Sequence, residues 1–167
     1  ATLMSHGFND WNVMPEHSYR ISQALKDRGV PTQIFYHQGG HGGPPPHELM
    51  NRWFTRYLYD VENGVEDDPK AWIVREDVED NRPTPYEDYP NPETTSVTLH
   101  PQGDGNGVGV LALTDSDERG TSKVDDDVSL TGAALAQAPY SSSRLLYATS
   151  EFTQDVHLSG VTTVTIR

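Results

Sequence analysis

The sequence predicts an α/β segment followed by an all-β segment. Three observations carry that expectation. The first sixty residues alternate β-type and helical patterns with short loops between them. An acidic, proline-rich stretch then breaks the alternation. From Ser96 onward the chain reads as short apolar runs divided by turn residues.

Leu3-Met4 opens a short apolar strand that breaks at His6-Gly7. Val13 to Arg28 then places Val13, Ile21, Ala24 and Leu25 at roughly helical spacing. Pro15 is tolerated in a first turn, Lys26 and Arg28 suit a C-terminal end, and Gly29 is the stop. Thr32-Gln-Ile-Phe-Tyr36 is β-branched and aromatic and predicts a buried strand. Gly39-Gly-His-Gly-Gly-Pro-Pro-Pro46 excludes regular structure. Beyond Glu48, Leu49, Trp53, Tyr57 and Val61 recur every four residues beside Met50, Phe54 and Leu58, an apolar helical stripe. Strands alternating with helices imply a parallel sheet covered on both faces.

Between Asp60 and Glu93 stand twelve acids and three bases, with Pro83, Pro85, Pro90 and Pro92. That composition predicts an extended, solvated connector holding one strand at Ala71-Trp-Ile-Val74. Short strands are then expected at Val97–Leu99, Val108–Leu113, Arg144–Ala148, Val156–Leu158 and Val161–Ile166, the pattern of a sandwich. Two strands do not complete a doubly wound sheet, and five or six do not complete an eight-stranded jelly roll. Both ends also read as cuts: Ala1-Thr-Leu-Met lacks an initiator methionine and a signal-peptide pattern, and the last residues stop inside a β-type run. A segment of a longer protein is expected, with open sheet edges that favour association between copies.

Only 34% of the residues are hydrophobic and the formal net charge is −13. So acidic a chain argues against nucleic acid and anionic membrane as partners, since both need lysine and arginine clusters. No apolar run is long enough to span a bilayer. With no cysteine, disulfides, CxxC chemistry and thiolate zinc sites are excluded.

Two segments carry residues that do chemistry. His6-Gly-Phe-Asn-Asp10 follows the first predicted strand, and His41 lies in the glycine-rich loop after the next. In an open α/β sheet functional residues collect beyond the carboxyl ends of the strands, so Asp10 and His41 can meet there. A buried carboxylate would hold one imidazole proton and leave the other nitrogen free to take a proton from a serine. Taken singly, a loop aspartate is a turn or capping residue, and a histidine among glycines is an exposed side chain. Joint placement, order and spacing single out the pair. The nucleophile is missing: only Ser5 precedes Asp10, Leu3 stands where an elbow needs glycine, and no G-x-S-x-G occurs.

Other signals are weaker. His37, His41 and His47 raise zinc, but Gly39-Gly40 breaks any helical i,i+4 pair and there is no HExxH. Asp104-Gly-Asn-Gly, Asp115-Ser-Asp117 and Asp125-Asp-Asp127 raise calcium without fitting an EF-hand loop. Trp11, Trp53 and Trp72 could line a pocket, although Trp53 on the helical stripe reads as core.

His6-Gly-Phe-Asn-Asp-Trp-Asn-Val13 and Tyr36-His-Gln-Gly-Gly-His41 resemble the Asp and His segments of the Xaa-Pro dipeptidyl-peptidase family of α/β-hydrolase serine peptidases, whose relatives include cocaine esterase-like acyl hydrolases. Arg144-Leu-Leu-Tyr-Ala-Thr-Ser150 and Asp155-Val-His-Leu-Ser-Gly160 resemble the entry to that family's C-terminal jelly roll. The resemblance covers residues 1 to about 78 and 140 to 167. It implies the C-terminal part of an α/β-hydrolase domain over 1–62, a connector over 63–95, and a partial jelly-roll β-sandwich over 96–167. It implies Asp10 and His41 as the acid and the histidine of a triad, with the serine in the remainder of the parent enzyme. It implies a proline-containing peptide as substrate, and neither cofactor nor metal. An ester or amide hydrolase of the cocaine esterase type is the second enzymatic reading, and a non-catalytic β-sandwich module is a third for the isolated chain.

Overall fold

A computed structural model describes residues 1–76, 78, 80–116 and 121–165. The chain divides into two compact units, Ala1–Thr94 with Ser159–Arg167, and Thr95–Leu158.

The first unit is built on strands β1 (Thr2–Gly7), β2 (Thr32–His37), β3 (Ala71–Val74) and β4 (Pro83–Tyr86), hydrogen-bonded in that order. β1 and β3 flank β2 in parallel, and β4 closes the sheet antiparallel to β3. An interior strand with a parallel neighbour on each side, β2 is buried at every residue from Thr32 to Tyr36, as its β-branched and aromatic composition anticipates. Its alternate side chains feed two clusters. Ile34 and Tyr36 pack with Ala71, Ile73 and Tyr89, joined by Tyr19 of helix α1 (Pro15–Lys26). Phe35 packs with Leu49 of helix α2 (His47–Tyr59) and with Val74. One helix therefore serves each face.

α1 begins at Pro15, whose missing N–H is no loss in a first turn. Val13, expected inside the helix, instead gives its amide to Asp10. Gly29, at φ +69°, takes the left-handed conformation that ends the element. Along α2, Leu49 and Trp53 are buried, whereas Phe54 and Leu58 of the expected stripe are exposed.

The connector expected over 63–95 is part of this sheet. It contributes a 3-10 turn at Val65–Asp67, then β3 and β4. Pro83 and Pro85 sit on β4, an edge strand, where a missing N–H can face away from the ladder. Its acids serve as partners for helix cations: Asp68 accepts both nitrogens of the Arg52 fork at 2.9 Å, Glu66 pairs with Arg56, and Asp88 with Lys26. Ser159 and Gly160 belong to this unit, accepting from the Asn91 amide and the Tyr89 hydroxyl at 2.9 Å each.

The second unit carries a three-stranded sheet of β5 (His100–Gln102), β6 (Gly109–Ala112) and β7 (Tyr147–Ala148), with a short helix α3 (Gly132–Gln137). β5 pairs antiparallel to β6, and β7 parallel to it. Thr131 caps α3 by accepting the Ala134 amide. The strands expected at Val97–Leu99 and Val156–Leu158 are irregular, and 161–165 forms no strand, while Ile166 lies outside the described residues. Pairing begins at His100, and beyond Gln102 the turn toward β6 is built by Gly103, at φ +79°, and by the Asp104 carboxylate, which accepts the Asn106 amide. Among the described residues the unit is sheet-bearing but forms neither a second sheet nor a sandwich. No helix among them is long and apolar enough to cross a membrane.

Candidate active site

The register of β1 on β2 decides what meets at the sheet edge. Gly7 stands opposite His37, so both strands end level. Pairing continues past the strands, with Phe8 donating to the His37 carbonyl at 2.8 Å and Asn9 to that of Gly39 at 3.2 Å. The Asn9 side chain donates to Gln38 O at 2.7 Å, and the Gln38 amide in turn to Val74 O at 2.8 Å. This closeness requires glycine at position 7. A Cβ there would lie 2.1 Å from the Gly39 carbonyl oxygen and 2.4 Å from that of Gly40.

Asp10 turns in directly beyond this junction, donating its amide to Gly7 O, and is only 4% exposed. Its Oδ1 accepts the amides of Asn12 and Val13, each at 3.0 Å. Its Oδ2 accepts from His41 Nδ1 at 2.9 Å. The hydrogen bond from Val13, with those from His41 and Asn12, outweighs burial and holds the carboxyl down to about 2 from its ordinary 3.8. It is an anion at neutral pH.

The His41 side chain is 63% exposed. Because Nδ1 faces a carboxylate, Nδ1 carries the proton and Nε2 keeps its lone pair. Among the described residues no partner occupies Nε2. The pair can therefore accept a proton from a hydroxyl and store the charge beside Asp10.

A third residue meets the same carboxylate. His6, at the end of β1, places Nε2 3.1 Å from Asp10 Oδ2 and 2.8 Å from the Val13 carbonyl, while its Nδ1 meets the Ser18 hydroxyl on α1. The sequence places His6 in the same motif as Asp10 but assigns it no role. The signal was present in its spacing four residues before the acid, at a strand end.

The other candidates fall elsewhere. Ser5 donates its hydroxyl to Gly43 O from within β1. His37 accepts the Gly39 amide at Nδ1, and His47 starts α2. Among the described residues no group of three or more His, Asp or Glu is arranged so that it could hold a metal ion, and Asp117 lies outside them. Trp11 is 85% exposed, Trp53 packs against Tyr57, and Trp72 packs against the Phe35–Leu49–Val74 cluster.

The family model of the X-Pro dipeptidyl-peptidase C-terminal non-catalytic domain matches residues 63–167. Asp10 and His41 precede that match. A Rhodopirellula baltica protein named "Putative Xaa-Pro dipeptidyl-peptidase" is 52% identical over 167 residues, covering 100% of this chain and 27% of that protein. A Xaa-Pro dipeptidyl-peptidase of Lactobacillus delbrueckii subsp. bulgaricus is 33% identical over 122 residues, 66% of this chain and 15% of its own length. A Bacillus anthracis relative, named like the first, is 27% identical over 170 residues, 99% of this chain and 28% of its length. The chain thus spans well under a third of the length of these relatives. Through residues 63–167, the chain belongs to the X-Pro dipeptidyl-peptidase family.

Proposed function

We propose that the chain contributes the acid and the histidine of a serine exopeptidase that releases Xaa-Pro dipeptides from peptide N-termini. The observation that carries the proposal is the hydrogen bond of His41 Nδ1 to the buried, doubly amide-clamped Asp10 carboxylate, with Nε2 left open. In this reading His41 is general base and then general acid, and Asp10 fixes its tautomer and stabilises the imidazolium. The nucleophile is a serine in the remaining length of the parent protein, consistent with the α/β-hydrolase chain order of Ser, then Asp, then His. Residues 1–62 are then the closing part of that catalytic domain, and the segment from residue 63 onward takes no part in the chemistry.

The test is Asp10→Asn in the full-length protein, assayed on Ala-Pro and Gly-Pro anilides beside simple esters. Turnover is expected to fall on the order of 10⁴-fold, because Asn favours the wrong tautomer. Near-normal turnover overturns the assignment. Preference for the esters instead replaces the peptidase with an acyl hydrolase of the cocaine esterase type.

A further inference from the structure

We infer that His6 is a positioning residue for the Asp10–His41 pair, holding the Asp10 carboxylate through the turn that clamps it. The inference rests on the proposed roles of Asp10 and His41.

The turn from Asp10 to Val13 is held at two points. The Val13 amide donates to Asp10 Oδ1 at 3.0 Å, and the Val13 carbonyl accepts from His6 Nε2 at 2.8 Å. The same nitrogen stands 3.1 Å from Oδ2, the oxygen that receives His41. Both groups opposite Nε2 are acceptors, so Nε2 carries a proton. That leaves Nδ1 as the natural acceptor for the Ser18 hydroxyl. The ring is 10% exposed and bridges the end of β1, the Asp10 turn and α1. Among the described residues Asp10 is the ionisable side chain within ion-pair distance of it. From α1 it faces the Ser18 hydroxyl, and from the turn the Val13 carbonyl.

Two consequences follow. A carboxylate seated by two amides on one oxygen and an imidazole N–H beside the other has little freedom to swing from His41. That N–H also draws charge from Oδ2, so its loss leaves Asp10 a stronger partner for a protonated His41. The conservative pair His6→Gln and His6→Asn separates these effects from general destabilisation. A glutamine amide nitrogen falls near the place of Nε2, an asparagine one near that of Nδ1.

The experiment compares both variants and Asp10→Asn in the full-length protein, reading kcat, KM and the pH profile of kcat/KM on a Gly-Pro anilide. His6→Asn is expected to lower kcat roughly 10- to 100-fold, with KM held within about twofold because substrate contacts are untouched. Its acid limb is expected to move to higher pH. His6→Gln is expected to restore most of kcat and the original limb. Equal kcat in the two variants, or an acid limb unmoved in His6→Asn, overturns the positioning role if Asp10→Asn has lost activity. Near-normal activity of Asp10→Asn overturns the underlying reading of the pair itself.

Discussion

The two units hold themselves together by different means. Every buried large hydrophobic side chain among the described residues belongs to the first, where Ile34, Tyr36, Ala71, Ile73 and Tyr89 form one cluster and Phe35, Leu49 and Val74 another. In the second unit the buried side chain is Arg144, 7% exposed, whose guanidinium donates to the carbonyls of Ala136, Gly107 and Ala138. Asn106 does similar work nearby, donating to the carbonyls of Lys123, Ser141 and Arg144. Apolar packing tolerates no water, whereas carbonyl staples only replace hydrogen bonds that water would make. The difference teaches why the exact geometry of Asp10 and His41 sits on the first kind of scaffold.

The largest expected contrast is between Ile34→Ala and Val110→Ala. Ile34 is 1% exposed at the centre of β2, and its truncation is expected to cost about 2–5 kcal/mol. Val110 on β6 is 52% exposed, and its truncation is expected to change stability by about 0.5 kcal/mol or less. Denaturant unfolding of the full-length protein measures both, and comparable losses would break the distinction drawn between the units.

Gly7→Ala sharpens the comparison at the site. Its Cβ would meet the backbone oxygens of Gly39 and Gly40, which cannot rotate away as a flexible side chain could. Forced separation of the loops is expected to cost about 1–3 kcal/mol. Turnover should fall beyond what the loss of folded protein explains. Unchanged turnover per folded molecule would show that the Gly7–Gly39 approach does not position the pair.

The smallest effect is a pH dependence. The folded Asp10 carboxyl lies near 2, below its ordinary 3.8, so its contribution to stability is fully present above 3.8. It is lost as pH falls through the window between those values. Glu66, held down by Arg56, and Asp127, held down by Ser129, titrate in the same direction. The difference between the parent and Asp10→Asn therefore isolates Asp10. The expected outcome is a shallower decline of the unfolding midpoint in Asp10→Asn as pH is lowered from 4 toward about 2, and parallel declines would contradict it.

Local chemistry was enough to read β2, the bodies of α1 and α2 and the strand Ala71–Val74. Their apolar spacing, Pro15 and Gly29 act within a few residues of where they stand. The candidate pair was legible for a related reason. Asp10 and His41 each follow a strand, and parallel strands present their carboxyl ends at one edge. The role of His6 was not legible, because its partners Val13 and Ser18 converge only when the turn and α1 fold back across β1. Nor was β4, whose prolines speak against a strand unless an edge position relieves them of donating. In the second unit Val97–Leu99 and Val156–Leu158 have strand-like composition but pair with no strand among the described residues.

The sequence by itself determined which segments are stiff, apolar or forced to turn, and which residues could carry a proton between them. Tertiary structure alone decided that Pro83–Tyr86 closes the sheet, that Gly7 admits the His41 loop, and that two imidazoles rather than one approach the Asp10 carboxylate. The physical reason is that backbone propensity and periodicity act over a few residues. Strand pairing and the seating of a buried charge depend instead on groups that only the fold brings within about 3 Å of one another.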